Sequence, residues 1–412
     1  MKRCPAISLL VCLLLTAAPA SSDTIIVDCN GSGDFVSIQD GVDAAVSGDR
    51  VRVLPGVYTQ TYARVVFGAT RTVNVCFEKN ITLESSAGPE VTIIDGGGGT
   101  NFGVVASPGP GWPLPSGVSR VVPTVKGFTV RNGVGYNMST GIAVIEGIAR
   151  GNIVTDYEVG LASGAVQALT GVPERPCGRT GESLIEDNVA DGNYYGICLM
   201  GGPGAETAGT IRGNTMTGNY YGAYVVGPGW GTLIGNTIAQ NTRGVVASNG
   251  ASWNHGRLDV SLSGNEIFSN GTNVWATVSV WPNHTASVHM VIGGSQEAAN
   301  DIYGSSRNIL AGDAGDVCIN AAYNWWGSEL CDEFVPLFSA PGFPDSCLVY
   351  LPFLDQSHTT VFAECESTAV SAMSWGSIKA MYLTPGHGRK VGLPARAHDS
   401  PALSLSPTTF LR

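Results

Sequence analysis

The feature that most constrains the fold is a short phrase that recurs between residues 127 and 327, an Asn followed eight residues later by a Gly. The phrase occurs at Asn152 with Gly160, Asn188 with Gly196, Asn214 with Gly222, and Asn236 with Gly244. A fifth copy runs from Asn265 to Asn273 and has Asn in place of the Gly. Recurrence every 22 to 36 residues predicts a solenoid. The copies are too short and too rich in β-branched residues for a helical repeat.

Alignment of the copies predicts which side chains point inward. Apolar residues recur two, nine and eleven positions after the Asn, as at Ala190, Ile197 and Leu199 in the second copy. Residues two apart on a strand share a face, so the pattern predicts one buried face per strand. Gly at the eighth position is interpreted as supplying a backbone angle that other residues resist.

A second Asn stands five positions after the first in four of the copies. These residues are Asn193, Asn219, Asn241 and Asn270, and the corresponding residue of the first copy is Tyr157. Stacked Asn side chains can hydrogen-bond along the stack and satisfy turn amides that water cannot reach. We therefore predict a structural Asn ladder at this position.

This register resembles the right-handed parallel β-helix repeats of the pectin-lyase-like superfamily, which carry an asparagine ladder. The resemblance covers most of the chain after the first 20 residues. It implies an all-β fold, a single-stranded right-handed parallel β-helix with a short amino-terminal capping helix. It implies little about function, because this fold hosts lyases, hydrolases, esterases, epimerases, adhesins and inert surface proteins.

The amino-terminal stretch 24–60 is predicted to form a strand, a turn, a helix and another strand. Ser37 and Asp40 fit a capping box at the start of that helix, which is expected to cover the open end of the first coil. The stretch resembles the amino-terminal segment of pectin methylesterases. The motif blocks that hold the catalytic Asp, Arg and Gln residues of that family do not occur, so its activity is not implied.

Residues 1–20 are typical of a secretory signal peptide, with Lys2 and Arg3 before a short apolar run and Ala18-Pro19-Ala20 as the cleavage site. We predict that the protein is bacterial and is secreted or held at the cell surface, without a transmembrane segment once the signal is removed. The predicted segments are a signal peptide at 1–20, a β-helix at 21–330, a carboxyl-terminal cap with a sorting segment at 331–383, and a disordered tail at 384–412.

Charge and cysteine content narrow the class of protein further. The formal net charge is −11 and no cluster of Lys and Arg appears along the body, so we predict no nucleic-acid partner. Eight cysteines follow the signal peptide, and an even number in an exported chain predicts disulfides. The pairings considered are Cys29 with Cys76, Cys177 with Cys198, and a staple among Cys318, Cys331, Cys347 and Cys365.

Insertions between copies are expected to emerge along one edge of the solenoid. The candidate ligand-binding residues that we assign to these insertions are Trp112, Trp230, Trp253, His255 and Trp281. Indole rings suit the apolar faces of sugars, so we predict a polysaccharide or a cell-surface glycan as the partner. The alternative is that these residues only cover the side of the solenoid.

The stacked pairs Tyr194-Tyr195 and Tyr220-Tyr221 have two similar interpretations, packing between coils or a sugar platform.

The candidate catalytic residues are Asp156, Glu158 and Asp191. Asp156 and Asp191 fall on successive coils, which are about 4.8 Å apart, and glycosidases need paired carboxylates. Ordinary turn acids are the alternative. We predict no cofactor; Asp313 and Asp316 are the residues that could hold calcium, but they lack a full ligand spacing.

The sequence thus predicts an exported, monomeric β-helix protein that interacts with carbohydrate and has no recognisable catalytic set. A polysaccharide lyase or glycoside hydrolase with a divergent site is the first alternative. A structural or adhesive surface protein is the second.

Overall fold

A computed structural model describes ten stretches of the chain. They are residues 22–66, 68–108, 122–133, 139–164, 182–201, 206–250, 256–279, 285–312, 316–339 and 347–365. The predicted signal peptide at 1–20, most of the predicted sorting segment and the predicted tail at 384–412 lie outside these residues.

Three long sheets form the body, and the chain passes from the first to the second to the third sheet in each coil. Within the described residues the first sheet has 12 strands: β1 Thr24–Val27, β2 Arg50–Val53, β6 Thr82–Ser85, β9 Thr124–Lys126, β12 Ile148–Arg150, β15 Ser183–Glu186, β18 Thr207–Arg212, β21 Gly229–Ile234, β24 Gly256–Ser263, β27 Ala286–Ile292, β30 Asp316–Asn320 and β32 Cys347–Val349. The second sheet has nine: β3 Gly56–Tyr58, β7 Thr92–Thr100, β10 Thr129–Gly133, β13 Ile153–Thr155, β16 Val189–Asp191, β19 Thr215–Thr217, β22 Thr237–Ala239, β25 Glu266–Phe268 and β28 Asp301–Tyr303.

The third sheet has 11 strands among the described residues: β4 Tyr62–Val66, β5 Ala69–Glu78, β8 Phe102–Ser107, β11 Thr140–Val144, β14 Val159–Gly164, β17 Tyr195–Met200, β20 Tyr221–Val226, β23 Arg243–Asn249, β26 Thr272–Val278, β29 Ile309–Ala311 and β31 Phe338–Ser339. The remaining elements are helices α1 Ile38–Ala44 and α2 Cys331–Phe334, 3₁₀ turns at Gln296–Ala298 and Val335–Leu337, and the hairpin β33 Phe353–Leu354 with β34 Val361–Phe362. Described strand pairs are parallel except β4 with β5 and β33 with β34. The predicted right-handed parallel β-helix is confirmed.

The core is a continuous stack of inward side chains from all three sheets. In the second copy of the phrase, Ala190, Ile197 and Leu199 are fully buried, and the equivalent apolar residues of the neighbouring copies are buried with them. The predicted inward positions are therefore confirmed. Burial of one column on each sheet removes a row of methyl and methylene groups from water, and this is the main favourable term for folding.

One ladder of Asn side chains follows the turn between the second and third sheets. The side-chain oxygen of Asn219 accepts the backbone N–H of Asn193 at 2.9 Å, and Asn241 does the same for Asn219 at 2.9 Å. Asn193 in turn accepts the backbone N–H of Tyr157 at 3.1 Å. The ladder continues from Asn270 through Asn273 to Asn308. These bonds give each buried turn amide a partner.

A second ladder, which was not predicted from the sequence, is formed by the first Asn of each copy. It runs along the turn between the first and second sheets and contains Asn152, Asn188, Asn214, Asn236, Asn265, Asn300 and Asn324. Every member is almost fully buried. The signal for this ladder was the phrase itself, since each copy begins with Asn.

The interpretation of the Gly at the eighth position is wrong in its physical cause. Gly196 has no left-handed backbone angle; instead a Cβ there would lie 2.6 Å from the backbone oxygen of Gly222 and 2.9 Å from the amide nitrogen of Asn219. Left-handed angles lie at the fourth position, for example at Gly192 with φ of 68°, and at the residue before the first Asn, for example at Asp187 with φ of 56°. Gly is needed at the eighth position because the ladder Asn of the next coil lies against it.

Both ends of the body are covered by packed side chains. At the amino end Ser37 caps α1, its side chain accepting the backbone N–H of Asp40 at 3.2 Å, and Gly41 packs against Val27 of the edge strand β1. At the carboxyl end Trp326 is buried and its ring centroid lies 4.8 Å from that of Phe338.

The disulfides match the predicted pairings only in part. Cys331 and Cys365 are bonded, and Cys318, which is in register with Cys347, is also disulfide-bonded. Cys29 and Cys76 are free thiols, so that pairing is wrong. The reason is that Cys29 packs against the inner core whereas Cys76 packs on the outer face of the third sheet. Cys198 is also free and is fully buried in that outer cluster, so the pairing with Cys177 is wrong as well.

Candidate functional site

Two stacks of tyrosine rings lie at the turn into the third sheet. Tyr194 and Tyr220 are parallel within 2° with ring centroids 4.8 Å apart. Tyr195 and Tyr221 form the second stack at 5.0 Å and 8°. The spacing is that of adjacent strands, so each stack follows directly from the parallel register. The outer pair remains 45% and 37% exposed, respectively.

Arg243 extends the inner stack onto the next coil. It is in register with Tyr221, and its Nη1 donates a hydrogen bond to the Tyr221 hydroxyl at 2.8 Å. Its guanidinium lies 3.9 Å from the ring centroid of Trp275 and 5.5 Å from that of Tyr220. A guanidinium over aromatic rings is held by a cation–π attraction and still has free N–H donors.

Tyr224 completes this group, with its ring centroid 5.1 Å from that of Tyr195 and 5.3 Å from that of Tyr221. We call Tyr194, Tyr195, Tyr220, Tyr221, Tyr224, Arg243 and Trp275 the aromatic cluster. Burial raises the pKa of Tyr221 to about 12, with the charge of Arg243 acting in the opposite direction. Burial also raises the pKa of Tyr195 well above its usual range. These phenols therefore stay neutral at physiological pH and can both donate and accept hydrogen bonds.

The sequence alignment contained a signal for Arg243 that was not used. It stands seven residues after Asn236, as Tyr195 does after Asn188 and Tyr221 after Asn214. Trp275 stands ten residues after Asn265, which is the position of Tyr224 in the third copy. Reading down the columns of the repeat would have grouped these residues.

The candidate carboxylates Asp156 and Asp191 make side-chain hydrogen bonds to different coils. Asp156 is exposed and accepts a hydrogen bond from the Thr155 hydroxyl at 3.0 Å on its own coil. Asp191 is exposed and accepts from the Thr217 hydroxyl at 2.7 Å on the following coil. Glu158 is half-buried, and its backbone oxygen accepts the N–H of Tyr195 at 2.8 Å. Bonds to neighbouring Thr hydroxyls are what ordinary turn acids make.

Trp230 lies on another face of the solenoid. It is 37% exposed on the outer face of the first sheet, in register with Ala208 and Asp259. The other candidate ligand-binding residues, Trp112, Trp253, His255 and Trp281, lie outside the described residues. Of the predicted Trp residues only Trp230 is described, and it does not belong to the aromatic cluster.

The fold defines a class of protein, a right-handed parallel β-helix of the pectin-lyase-like kind. This one displays the aromatic cluster at its third sheet. Residues 124–304 match the family described as "Periplasmic copper-binding protein (NosD)", which is less than half of the 412 residues. No curated protein sequence matches the chain.

Solved structures resemble the chain at low sequence identity. Pectate lyase Pel9A is 12% identical with a TM-score of 0.45, and the match covers 76% of this chain and 78% of that one. Pectin methylesterase from carrot is 12% identical with a TM-score of 0.37 and coverage of 76% and 85%. The A-module of the mannuronan C-5 epimerase AlgE6 from Azotobacter vinelandii is 13% identical with a TM-score of 0.38 and coverage of 76% and 94%. The activities named there belong to those proteins.

The copper in the family's description can be tested against the residues present. Across the described stretches, no group of three or more His, Cys, Asp or Glu side chains is placed to hold a metal ion. His358 pairs with Asp301 at 2.7 Å and His289 lies 3.8 Å from Asp316, so each described His has a single carboxylate beside it. These residues do not fit a copper site, and copper binding stays with the family's description.

No helix within the described ranges is long and apolar enough to cross a membrane.

Proposed function

We propose that the protein is an exported β-helix protein that binds a glycan at the aromatic cluster. The observation that carries the proposal is the exposed stack of Tyr194 and Tyr220, whose rings lie 4.8 Å apart along the solenoid axis. Export is supported by the signal-like residues 1–20, by the Cys331–Cys365 disulfide and by the periplasmic family that matches part of the chain.

Packing between coils accounts for the inner tyrosines better than for the outer ones. Tyr195 and Tyr221 are half-buried and contact Tyr224, so they stabilise the stack from within. Tyr194 and Tyr220 add an outer layer that keeps much of its apolar surface in water. An exposed aromatic patch of this kind on a rigid scaffold marks a binding surface.

The chemistry of the cluster suits sugars. Its phenol hydroxyls and the free N–H groups of Arg243 complement sugar hydroxyls, and the ring edges and end faces offer apolar contact. The hydroxyl-bearing rings repeat once per coil, so a ligand with a repeating unit can lie along the axis. A glycan chain has both properties.

The test measures binding of the full chain to a panel of neutral polysaccharides by affinity electrophoresis and calorimetry. We expect binding to at least one neutral polymer and a roughly tenfold loss in the double variant Tyr194→Ala/Tyr220→Ala, since two aromatic contacts are removed. The matched control is Tyr303→Ala, because Tyr303 stacks on Phe268 at 5.2 Å on the second sheet, away from the cluster.

Three results would count against the proposal. Binding unchanged in the double variant would remove the aromatic cluster as the site. No binding to any polymer would favour the structural or adhesive alternative. Turnover of a polymer that is abolished by Asp156→Asn or Asp191→Asn would make the protein an enzyme rather than a binding protein.

A further inference from the structure

A pocket of about 420 Å³ lies at the carboxyl end of the body, between the turn that follows β28 and the helix α2. Its volume is in the range of small-molecule sites, which is about 300–1,000 Å³. We call it the cap pocket. The lining residues that determine its chemistry are Tyr303, Ser305, Trp326, Gly327, Glu333 and Phe334.

Gly327 leaves one face of the Tyr303 ring uncovered. The other face of that ring stacks on Phe268 of the preceding coil, with centroids 5.2 Å apart and planes within 8°. Asp301 forms a parallel bridge with Trp325. Two residues further along, Gly327 therefore follows Tyr303 in the same register, and a Cβ there would lie 2.7 Å from the Tyr303 Cβ. The column of outward rings thus ends at Tyr303, and the pocket lies where the next side chain would be.

Two further aromatic rings form the inner side of the cap pocket. Trp326 is 2% exposed and lines the pocket together with the buried Phe334, and their ring centroids are 6.3 Å apart. The face of an aromatic ring carries partial negative charge and attracts cations. Among the described residues that line the pocket, none is Lys or Arg. The aromatic faces are therefore not already occupied by a cation of the lining.

Carboxylates add negative charge to the cap pocket. Glu333 is exposed in the lining, and its Oε2 accepts the Ser328 hydroxyl at 2.6 Å, which leaves the other oxygen available. Glu266 accepts the Tyr303 hydroxyl at 2.7 Å. Burial, together with this bond, raises the pKa of Tyr303 to about 12, so the phenol keeps its proton. Donation to a carboxylate makes the ring richer in electrons, which strengthens its attraction for a cation.

Two buried polar atoms of the lining residues have no hydrogen-bond partner in the part of the chain that the structure describes. They are the Nε1 of Trp326 and the Oγ of Ser305. Burial of a donor without an acceptor is unfavourable, and such atoms are rare in native proteins. Both can donate to an oxygen atom of a ligand.

We propose that the cap pocket binds an organic ammonium ion that carries an oxygen atom and is about the size of choline. The ammonium group lies against the open face of Tyr303, and Glu333 balances its charge. The oxygen accepts from Trp326 or Ser305. An anion would meet Glu333 without a neutralising cation, and a neutral hydrocarbon would leave the donors unpaired.

The experiment measures binding of choline to the full chain by calorimetry and by saturation-transfer NMR. The comparison probe is the uncharged isostere of choline in which carbon replaces the nitrogen, because it has the same shape and the same hydroxyl. We expect choline to bind and the isostere to bind at least roughly fivefold more weakly. Equal affinities of the two probes, or no binding of choline, would overturn the proposal.

Substitutions locate the site. Glu333→Gln and Tyr303→Leu should each weaken choline binding roughly threefold to tenfold. Tyr303→Phe keeps the ring face and should keep most of the affinity, which separates the role of the ring from a general effect on folding. Glu329→Gln is the matched control, since it removes an exposed carboxylate of the same turn outside the lining, and affinity should stay within about twofold. Affinity that is unchanged in both Glu333→Gln and Tyr303→Leu would overturn the assignment.

Choline occurs as a free solute and as a lipid headgroup, and sedimentation with vesicles distinguishes the two sources. Vesicles of phosphatidylcholine are compared with vesicles of phosphatidylglycerol. Binding to the first kind alone, reversed by free choline, would assign the lipid headgroup. Choline binding without vesicle binding would assign a small solute. The variant Tyr194→Ala/Tyr220→Ala should bind choline like the wild type, because the cap pocket shares no residue with the aromatic cluster.

Discussion

The side chain of Asn188 donates to the side-chain oxygen of Asn214 at 3.0 Å, and the backbone N–H of Asn188 donates to the same oxygen at 2.9 Å. One oxygen on each coil therefore satisfies two donors of the coil before it. Repeated over seven residues, this relationship holds the register of the turns between the first and second sheets from Asn152 to Asn324.

Asn214→Ala should be among the most destabilising single changes in the body. It removes the oxygen that accepts from Asn188 and the side-chain donor to the carbonyl oxygens of Ile185 and Arg212, of which Arg212 keeps the backbone N–H of Asp187. We expect a loss of about 2–4 kcal/mol in the free energy of unfolding, since buried unpaired groups cost about 1–3 kcal/mol each. Urea unfolding followed by circular dichroism measures it. Asn320→Ala on the exposed surface is the control, and a loss as large there would contradict the explanation.

Gly196→Ala tests why Gly is required at the eighth position. The added methyl would lie 2.6 Å from the backbone oxygen of Gly222, so two coils must separate locally, and we expect a cost of about 2–3 kcal/mol. Gly99→Ala is the matched control because a Cβ there meets nothing within 4 Å; stability should change by less than about 1 kcal/mol. Equal effects at both positions would refute the close-approach explanation. The thermal midpoints of both variants report the difference.

Removal of the disulfide by Cys331→Ala/Cys365→Ala should loosen the carboxyl end. The bond closes a loop with a sequence separation of 34 residues, for which chain entropy predicts about 3–4 kcal/mol. Hydrogen exchange should show lost protection around Phe334 and Phe353, which pack together at 4.9 Å, before the rest of the body opens. Unchanged protection at these residues would show that aromatic packing alone holds this end.

The loop at Asp355 predicts a specific dependence on pH. The backbone N–H of Thr360, with further bonds from Ser357 and Thr359, lowers the pKa of the Asp355 carboxyl well below its usual value. The pKa of Asp355 is lower in the folded state than the unfolded value of 3.8. The contribution of its carboxylate to stability is therefore complete above pH 3.8 and is lost as the pH falls toward the folded-state pKa. Asp355→Asn lacks this contribution at every pH.

The measurement is the difference in thermal midpoint between the wild type and Asp355→Asn from pH 6 to pH 2. We expect the wild type to be more stable at the upper end and the difference to shrink below a pH of about 4. A difference that stays constant, or that grows on acidification, would show that the carboxylate does not make these bonds in solution.

Much of the fold followed from the sequence, because a repeat with period-two apolar positions admits few structures. The inward columns through Ala190, Ile197 and Leu199 were predicted residue by residue and are buried. Less of the candidate site could be predicted from the sequence. The Tyr stacks could be anticipated from adjacent copies, whereas Arg243 and Trp275 belong to columns whose chemical character changes from coil to coil.

The sequence by itself determined the parallel β-helix, its inner face and the ladder formed by the second Asn of each copy. These features depend on the spacing of residues within one copy of the phrase. Only the tertiary structure decided what lies side by side on different coils. The insertions vary in length, so Lys126, Arg150 and Glu186 have no constant separation in the chain, yet strand register places them about one strand spacing apart. The role of Gly196 was decided in the same way, by an Asn from the next coil that fills the space where a side chain would be.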